Sequence, residues 1–166
     1  MTAGVPGAYI PPMPDFEVTR SRRITADPAR VRDLVDDLQA WQQWSPWEGL
    51  DDRLQRSYDG PRRGAGSSYA WAGNRRAGSG SMEIVSSDPE RIDMRLVFER
   101  PFRADNRVEF LFEPVGQGGG ETEVTWRMTG RSTGLQGLFG RLVPMDRLVG
   151  RDFERGLASL AQVAEA

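Results

Sequence analysis

Proton transfer in this chain falls to Asp, Glu or Tyr, because the sequence contains no histidine, cysteine or lysine and all 22 basic residues are arginine. Those absences exclude Ser-His and Cys-His nucleophilic pairs, Schiff-base chemistry, a lysine-tethered cofactor and nearly every zinc site. Arginine stays protonated, so it orients groups or stabilises negative charge. Tyr69 shares a strand face with Trp71, and a buried phenol hydroxyl needs a partner. With Tyr58 it is the first place to look for a polar ligand contact. Asn106 has the parity of Val108 and Phe110, which turns its amide inward, toward either a backbone partner or a ligand. Arg56 has the parity of Leu54 and Tyr58 on a short strand. No acidic residue occupies a clearly inward position, so a carboxylate raised in pKa by a cavity has no evident candidate. Gly64-Ala65-Gly66 precedes a strand, which excludes a dinucleotide or phosphate loop. Gly78-Ser79-Gly80-Ser81 lacks any histidine to activate its serines, so it is no nucleophile elbow.

The segment Trp41-Gln42-Gln43-Trp44-Ser45-Pro46-Trp47 holds three tryptophans in seven residues. Each indole brings a large apolar area and one N–H that needs a partner when buried. Trp44 and Trp47 either anchor the short helical segments to a sheet or wall a ligand. Met82, Met94 and Met128, with Met145, are expected inside, where thioethers suit either an adaptable pocket or ordinary core.

A chain of 166 residues with 38% hydrophobic content suits one domain with its own core. No apolar run reaches the roughly 18 residues that mark a membrane span, and the N-terminus lacks a signal-peptide pattern. A cytoplasmic protein is the expectation. Net charge is −2 with acids and bases interleaved, which argues against a nucleic-acid face. The pairs Arg22-Arg23, Arg62-Arg63 and Arg75-Arg76 are expected to be solvated.

Residues 1–15 are rich in Gly and Pro and read as an extended or mobile lead; residues 16–166 form the domain. A strand is expected over 16–25. Asp27-Pro28 then opens a helix running through about Leu38, with a second short helix near 39–43 that Ser45-Pro46 stops. Strands are expected over 53–58, 67–73, 79–87, 91–99, 105–113 and 121–130. Ile92, Met94, Leu96 and Phe98 share one face, as do Val108, Phe110 and Phe112, and Val124, Trp126 and Met128. Arg91, Asp93, Arg95, Arg107, Glu109, Thr125 and Arg127 fall on the other, wet face. Leu135, Leu138, Phe139 and Leu142 suggest a short amphipathic turn. A long helix follows from Met145 to about Ala164, carrying Val149, Phe153 and Leu157 on its apolar stripe. Gly156 inside it implies a close backbone approach or space left for a ligand. One greasy sheet face and one amphipathic helix pack as an α+β sandwich with a cavity between them.

The element order, the Asp-Pro helix start, Trp44-Ser45-Pro46-Trp47, the glycine run from Gly60 to Gly80 and Val149-Gly150-Arg151-Asp152-Phe153-Glu154-Arg155-Gly156-Leu157 resemble the SRPBCC superfamily. This is the START-like, birch-pollen-allergen-like superfamily, and the likeness is to its polyketide cyclase/dehydrase type 2 group, over about residues 16–165. The resemblance implies a helix-grip fold: a seven-stranded antiparallel sheet curved around the C-terminal helix and an elongated apolar cavity. It places Trp44 and Trp47 near the mouth, formed by the two short helices. Aromatase/cyclases of the superfamily use pocket arginine and tyrosine groups, but no matched motif carries those roles to residues of this chain.

The expected function is binding of a small apolar or aromatic molecule, lipid-like or polyketide-like, without cofactor or metal. The cavity candidates are Trp44, Trp47, Tyr58, Tyr69 and Trp71 from the first half of the domain. From the later strands come Met82, Met94, Phe98, Asn106, Phe110, Trp126 and Met128, and from the last helix Val149 and Phe153. A polyketide aromatase/cyclase and a co-chaperone or regulatory protein-binding module are the alternatives.

Overall fold

The computed structural model of the protein describes residues 16–131 and 145–166. The chain runs β1 (Phe16–Ile24), α1 (Pro28–Asp36), a 3-10 turn (Ala40–Gln43), then β2 (Gln55–Asp59), β3 (Ser68–Ala72) and β4 (Ser79–Ser87). β5 (Arg91–Arg100), β6 (Ala104–Pro114), β7 (Thr122–Gly130) and α2 (Met145–Glu165) complete it. The seven strands form one antiparallel sheet in the order β1-β7-β6-β5-β4-β3-β2. This is the helix-grip arrangement, with α2 and the α1 segment on the apolar face of the sheet. The expected turn around Leu135–Leu142 lies outside the described residues, as does the 1–15 lead.

The alternation read from sequence decides which face is dry. Ile92, Met94 and Leu96, with Val108, Phe110 and Phe112, and Val124, Trp126 and Met128, are all buried. The opposite face carries a lattice of charges. Glu109 accepts from Arg91 at 2.9 Å and from Arg127 at 3.3 Å and forms an ion pair with Arg107 at 3.2 Å, while Asp93 takes Arg91 and Arg107 at 2.9 and 3.1 Å. Cross-strand registry makes these pairs, since Asp93 opposes Glu109 and Glu109 opposes Arg127.

Asp27 caps α1, its Oδ1 accepting the Arg30 N–H at 3.0 Å, with Pro28 in the first turn. The helix ends at Asp36, two residues earlier than the sequence suggests. The cause is Asp37, which turns extended, bridges to Arg63, and accepts Arg62 Nε on both carboxylate oxygens at 2.9 Å. Arg62 is therefore more than a solvated arginine: it neutralises a buried carboxylate. β2 likewise starts at Gln55 rather than residue 53, because Asp51 holds a turn by accepting the Arg53 N–H at 2.9 Å.

Two of the clustered tryptophans finish α1. Helix C-termini leave carbonyls without partners, and here Trp41 Nε1 donates to Val35 O at 2.9 Å and Trp44 Nε1 to Leu34 O at 3.0 Å. The two rings lie 4.3 Å apart and meet Trp126 edge-on at 5.9 and 5.8 Å. Gly156 is the close approach foreseen in α2: a Cβ there would lie 2.8 Å from Trp126 and 2.9 Å from Pro46.

Candidate functional site

The sheet and α2 do not touch along their whole length. At the level of Ile92, Phe110, Phe112 and Val124 the interior is solid. Nearer the end where β5 turns into β6, the interior opens into a cavity of about 570 Å³. Its walls come from Leu96 and Phe98 on β5, Asn106 and Val108 on β6, Trp126 and Met128 on β7, and Val149 and Phe153 on α2. β2 to β4 and the Trp41–Trp47 segment close the remaining side.

The aromatic wall follows from strand pairing. Tyr58 opposes Tyr69 across β2 and β3, and their rings stack at 5.1 Å; Tyr69 and Trp71, two residues apart on one face, stack at 5.8 Å. Trp71 can lie across β4 only because residue 80 is glycine: a Cβ at Gly80 would sit 2.6 Å from the indole. Beyond Gly80 the indole meets Phe98 edge-on at 5.8 Å, and its N–H reaches Ala77 O at 3.1 Å.

Eleven of the sequence candidates line this cavity: Trp47, Tyr58, Tyr69 and Trp71, then Met82, Phe98, Asn106, Trp126 and Met128, then Val149 and Phe153. Trp44, Met94 and Phe110 do not. Trp44 is spent on the end of α1, so it is a buried anchor away from the mouth. Met94 and Phe110 share the correct face but are buried in the packed core: Met94 lies between Ile84 and Val108 in the sheet, and Trp41, Trp44 and Trp126 pack against Phe110. Met82 and Met128 are interior as expected; the Met145 side chain lies outside the described residues.

Carboxylates enter where the sequence offered no clearly inward acidic residue. Glu48 and Asp152 both line the cavity. Glu48 accepts a hydrogen bond from Arg56, half-buried behind Tyr58 and Tyr69. Burial works against the Arg56 charge, but the Glu48 carboxylate beside it prevails and raises its pKa. Asp152 accepts the Trp47 indole N–H at 3.3 Å and also holds Arg155. Its spacing three residues after Val149 on a helix was the available signal; Glu48 sits in an irregular turn with none. Gln42 Nε2 donates to the Tyr58 hydroxyl at 3.0 Å. Arg76, Arg100 and Arg131 also line the cavity at its solvent-facing rim, where all three are exposed, as expected for the Arg75-Arg76 pair.

The phenols are neutral donors at ordinary pH. Burial pushes Tyr69 up to about 12, and it raises Tyr58 against the opposing Gln42 hydrogen bond. Two buried polar atoms of the wall, Asn106 Oδ1 and Trp126 Nε1, have no hydrogen-bond partner among the described residues. Among those residues no cluster of carboxylates could hold a metal ion, and no helix is long and apolar enough to cross a membrane.

The family described as polyketide cyclase / dehydrase and lipid transport matches residues 15–165. No curated protein sequence matches the chain. Among solved structures, a hypothetical protein of Helicobacter pylori is similar with a TM-score of 0.67 and 13% identity, covering 99% of this chain and 97% of its own. A protein of Chromobacterium violaceum has a TM-score of 0.63 at 16% identity, covering 90% and 97%. A START superfamily protein of Mycobacterium smegmatis has a TM-score of 0.57 at 15% identity, covering 90% and 97%. At these identities the likeness concerns the fold.

Proposed function

Because the chain belongs to the polyketide cyclase / dehydrase and lipid transport family, we propose that it binds one small apolar or aromatic molecule between the sheet and α2. The observation that carries this reading is the cavity of about 570 Å³ walled by Tyr58, Tyr69, Trp71, Phe98 and Trp126. That size falls within the roughly 300–1,000 Å³ of small-molecule sites. Apolar burial at about 25 cal/mol per Å² supplies the affinity. Orientation comes from the neutral Tyr69 hydroxyl and the Asn106 amide.

A second reading is a cyclase-type enzyme, favoured by Tyr58 and Tyr69 lying beside the Arg56–Glu48 pair. There a protonated phenol would give a hydrogen bond to a developing enolate, and the guanidinium would steady its charge.

The test has two parts. Protein purified from its own host goes into native mass spectrometry, followed by denaturing extraction. The protein is also titrated with the neutral fluorophore N-phenyl-naphthylamine. One retained apolar molecule, or saturable uptake of the fluorophore at one per chain, is expected. A chain that emerges empty and leaves the fluorophore in water overturns the binding reading. Turnover of a retained polyketide-like molecule would establish the enzyme instead.

A further inference from the structure

The cavity is apolar in its depth but its charge is not balanced. Among the described residues, five charged side chains line it: Glu48, Asp152, Arg76, Arg100 and Arg131. Both carboxylates are already engaged by arginines outside the lining, Glu48 by Arg56 and Asp152 by Arg155. Among the described residues, none of Arg76, Arg100 and Arg131 pairs with a carboxylate. Among the described residues, the charge left unpaired at the cavity is thus positive, in a chain whose net charge is −2.

Topology gathers these three arginines. Arg76 lies in the β3–β4 turn, Arg100 ends β5 and Arg131 follows β7. In an antiparallel sheet of this order those three points fall on the same end. Arg100 is steadied by its Nε, which donates to Ser79 Oγ at 3.2 Å. Gly78 brings the Arg76 turn against the backbone of Arg100, since a Cβ at residue 78 would lie 2.3 Å from Arg100 O. The same end is where the cavity meets solvent: Phe102 and Leu148 line it and are 53% and 55% exposed.

We propose that the ligand is an anionic amphiphile, its apolar body in the aromatic cavity and its single anionic head at the rim formed by Arg76, Arg100 and Arg131. This rests on the binding reading above and adds the charge of the ligand. Guanidinium groups suit such a head because they stay charged and present several donors to carboxylate or phosphate oxygens.

The test is displacement of bound N-phenyl-naphthylamine by dodecanoate, dodecyl phosphate and dodecanol, each below its aggregation threshold. At least one anion is expected to displace the fluorophore at tenfold lower concentration than dodecanol, and the stronger of the two identifies carboxylate or phosphate as the head. Raised salt narrows the gap, because rim charges are screened. In a variant combining Arg76→Gln, Arg100→Gln and Arg131→Gln, the anions are expected to fall to the level of dodecanol. Circular dichroism and the unfolding midpoint check that this variant is folded. Equal displacement by all three compounds overturns the anionic head and leaves the apolar binding reading intact. So does a preference for anions that survives in the folded triple variant. Failure of all three against a fluorophore that does bind also overturns it.

Discussion

The indole of Trp126 on β7 lies flat against the ring of Phe153 on α2, 4.0 Å between centroids and within 8° of parallel. This contact joins the sheet to the last helix, and it forms part of the cavity wall. Offset-stacked aromatic pairs add about 0.5–1.5 kcal/mol beyond the area they bury. Phe153→Ala is therefore expected to destabilise the protein by about 3–5 kcal/mol, as for other buried Phe truncations. Urea unfolding measures it, and a loss below about 1 kcal/mol would mean the helix is held elsewhere.

Gly156 sits one turn along from that stack, with Trp126 and Pro46 closed over it. On helix propensity alone Gly156→Ala would stabilise by about 1 kcal/mol. A methyl group 2.8 Å from Trp126 makes the packing cost larger. The variant is expected to lose about 1 kcal/mol net, since overpacking costs about 1–3 kcal/mol. A gain in the unfolding midpoint would show that the indole yields.

Trp44 and Trp71 separate anchoring from lining. Trp44→Ala removes a 2% exposed ring that caps α1 and is expected to cost about 3–5 kcal/mol of stability. Trp71→Ala opens the cavity wall, so it is expected to cost less stability and weaken N-phenyl-naphthylamine binding about tenfold, the loss of roughly 1.4 kcal/mol. Equal stability losses with unchanged fluorophore binding would reverse the assignment.

Tyr69 gives the fold an alkaline limit. Its folded pKa of about 12 lies above the value near 10 of an exposed tyrosine. Below pH 10 the phenol is neutral in both states and its contribution is complete. Between about pH 10 and 12 the unfolded chain ionises first, so stability falls as pH rises. Phenolate absorbance measured against pH should lose its latest step in Tyr69→Phe. Loss of an ordinary step near pH 10 would refute the burial argument.

Glu48 and Arg56 form a pair whose side chains are 26% and 25% exposed. Glu48→Gln leaves Arg56 half-buried without its counter-charge, and Arg56 Nε already lacks a partner. A loss of about 1–2 kcal/mol is expected, discounted from the fully buried case for solvent access. In a double-mutant cycle, Arg56→Met in the Glu48→Gln background should cost less than in the native chain. Additive losses would show the two side chains to be uncoupled.

Where these elements begin and end was legible to within a few residues, and the misses have named causes. Asp37 left α1 early because Arg62, far along the chain, competes for its carboxylate. Asp51 drew residues 53 and 54 into a turn. The site was legible as a face: Phe98, Trp126 and Met128 could be placed inward by parity alone. Glu48 was not legible, because it lies in an irregular turn where no period assigns a direction.

By itself the sequence determined the chemistry available and the side of each element that turns inward. Without His, Cys or Lys, proton transfer is confined to carboxylates and phenols, and period-two alternation sorts every strand residue to one of two faces. Depth along a face was decided by the tertiary structure. Met94 and Leu96 obey the same alternation, yet only Leu96 meets the cavity, because what packs against each position, and not its parity, decides whether space is left beside it; Met94 is 1% exposed in the packed core. Charge at the mouth was decided in the same way. Arg76, Arg100 and Arg131 are remote in sequence, and antiparallel pairing brings their turns and strand ends to one end of the sheet.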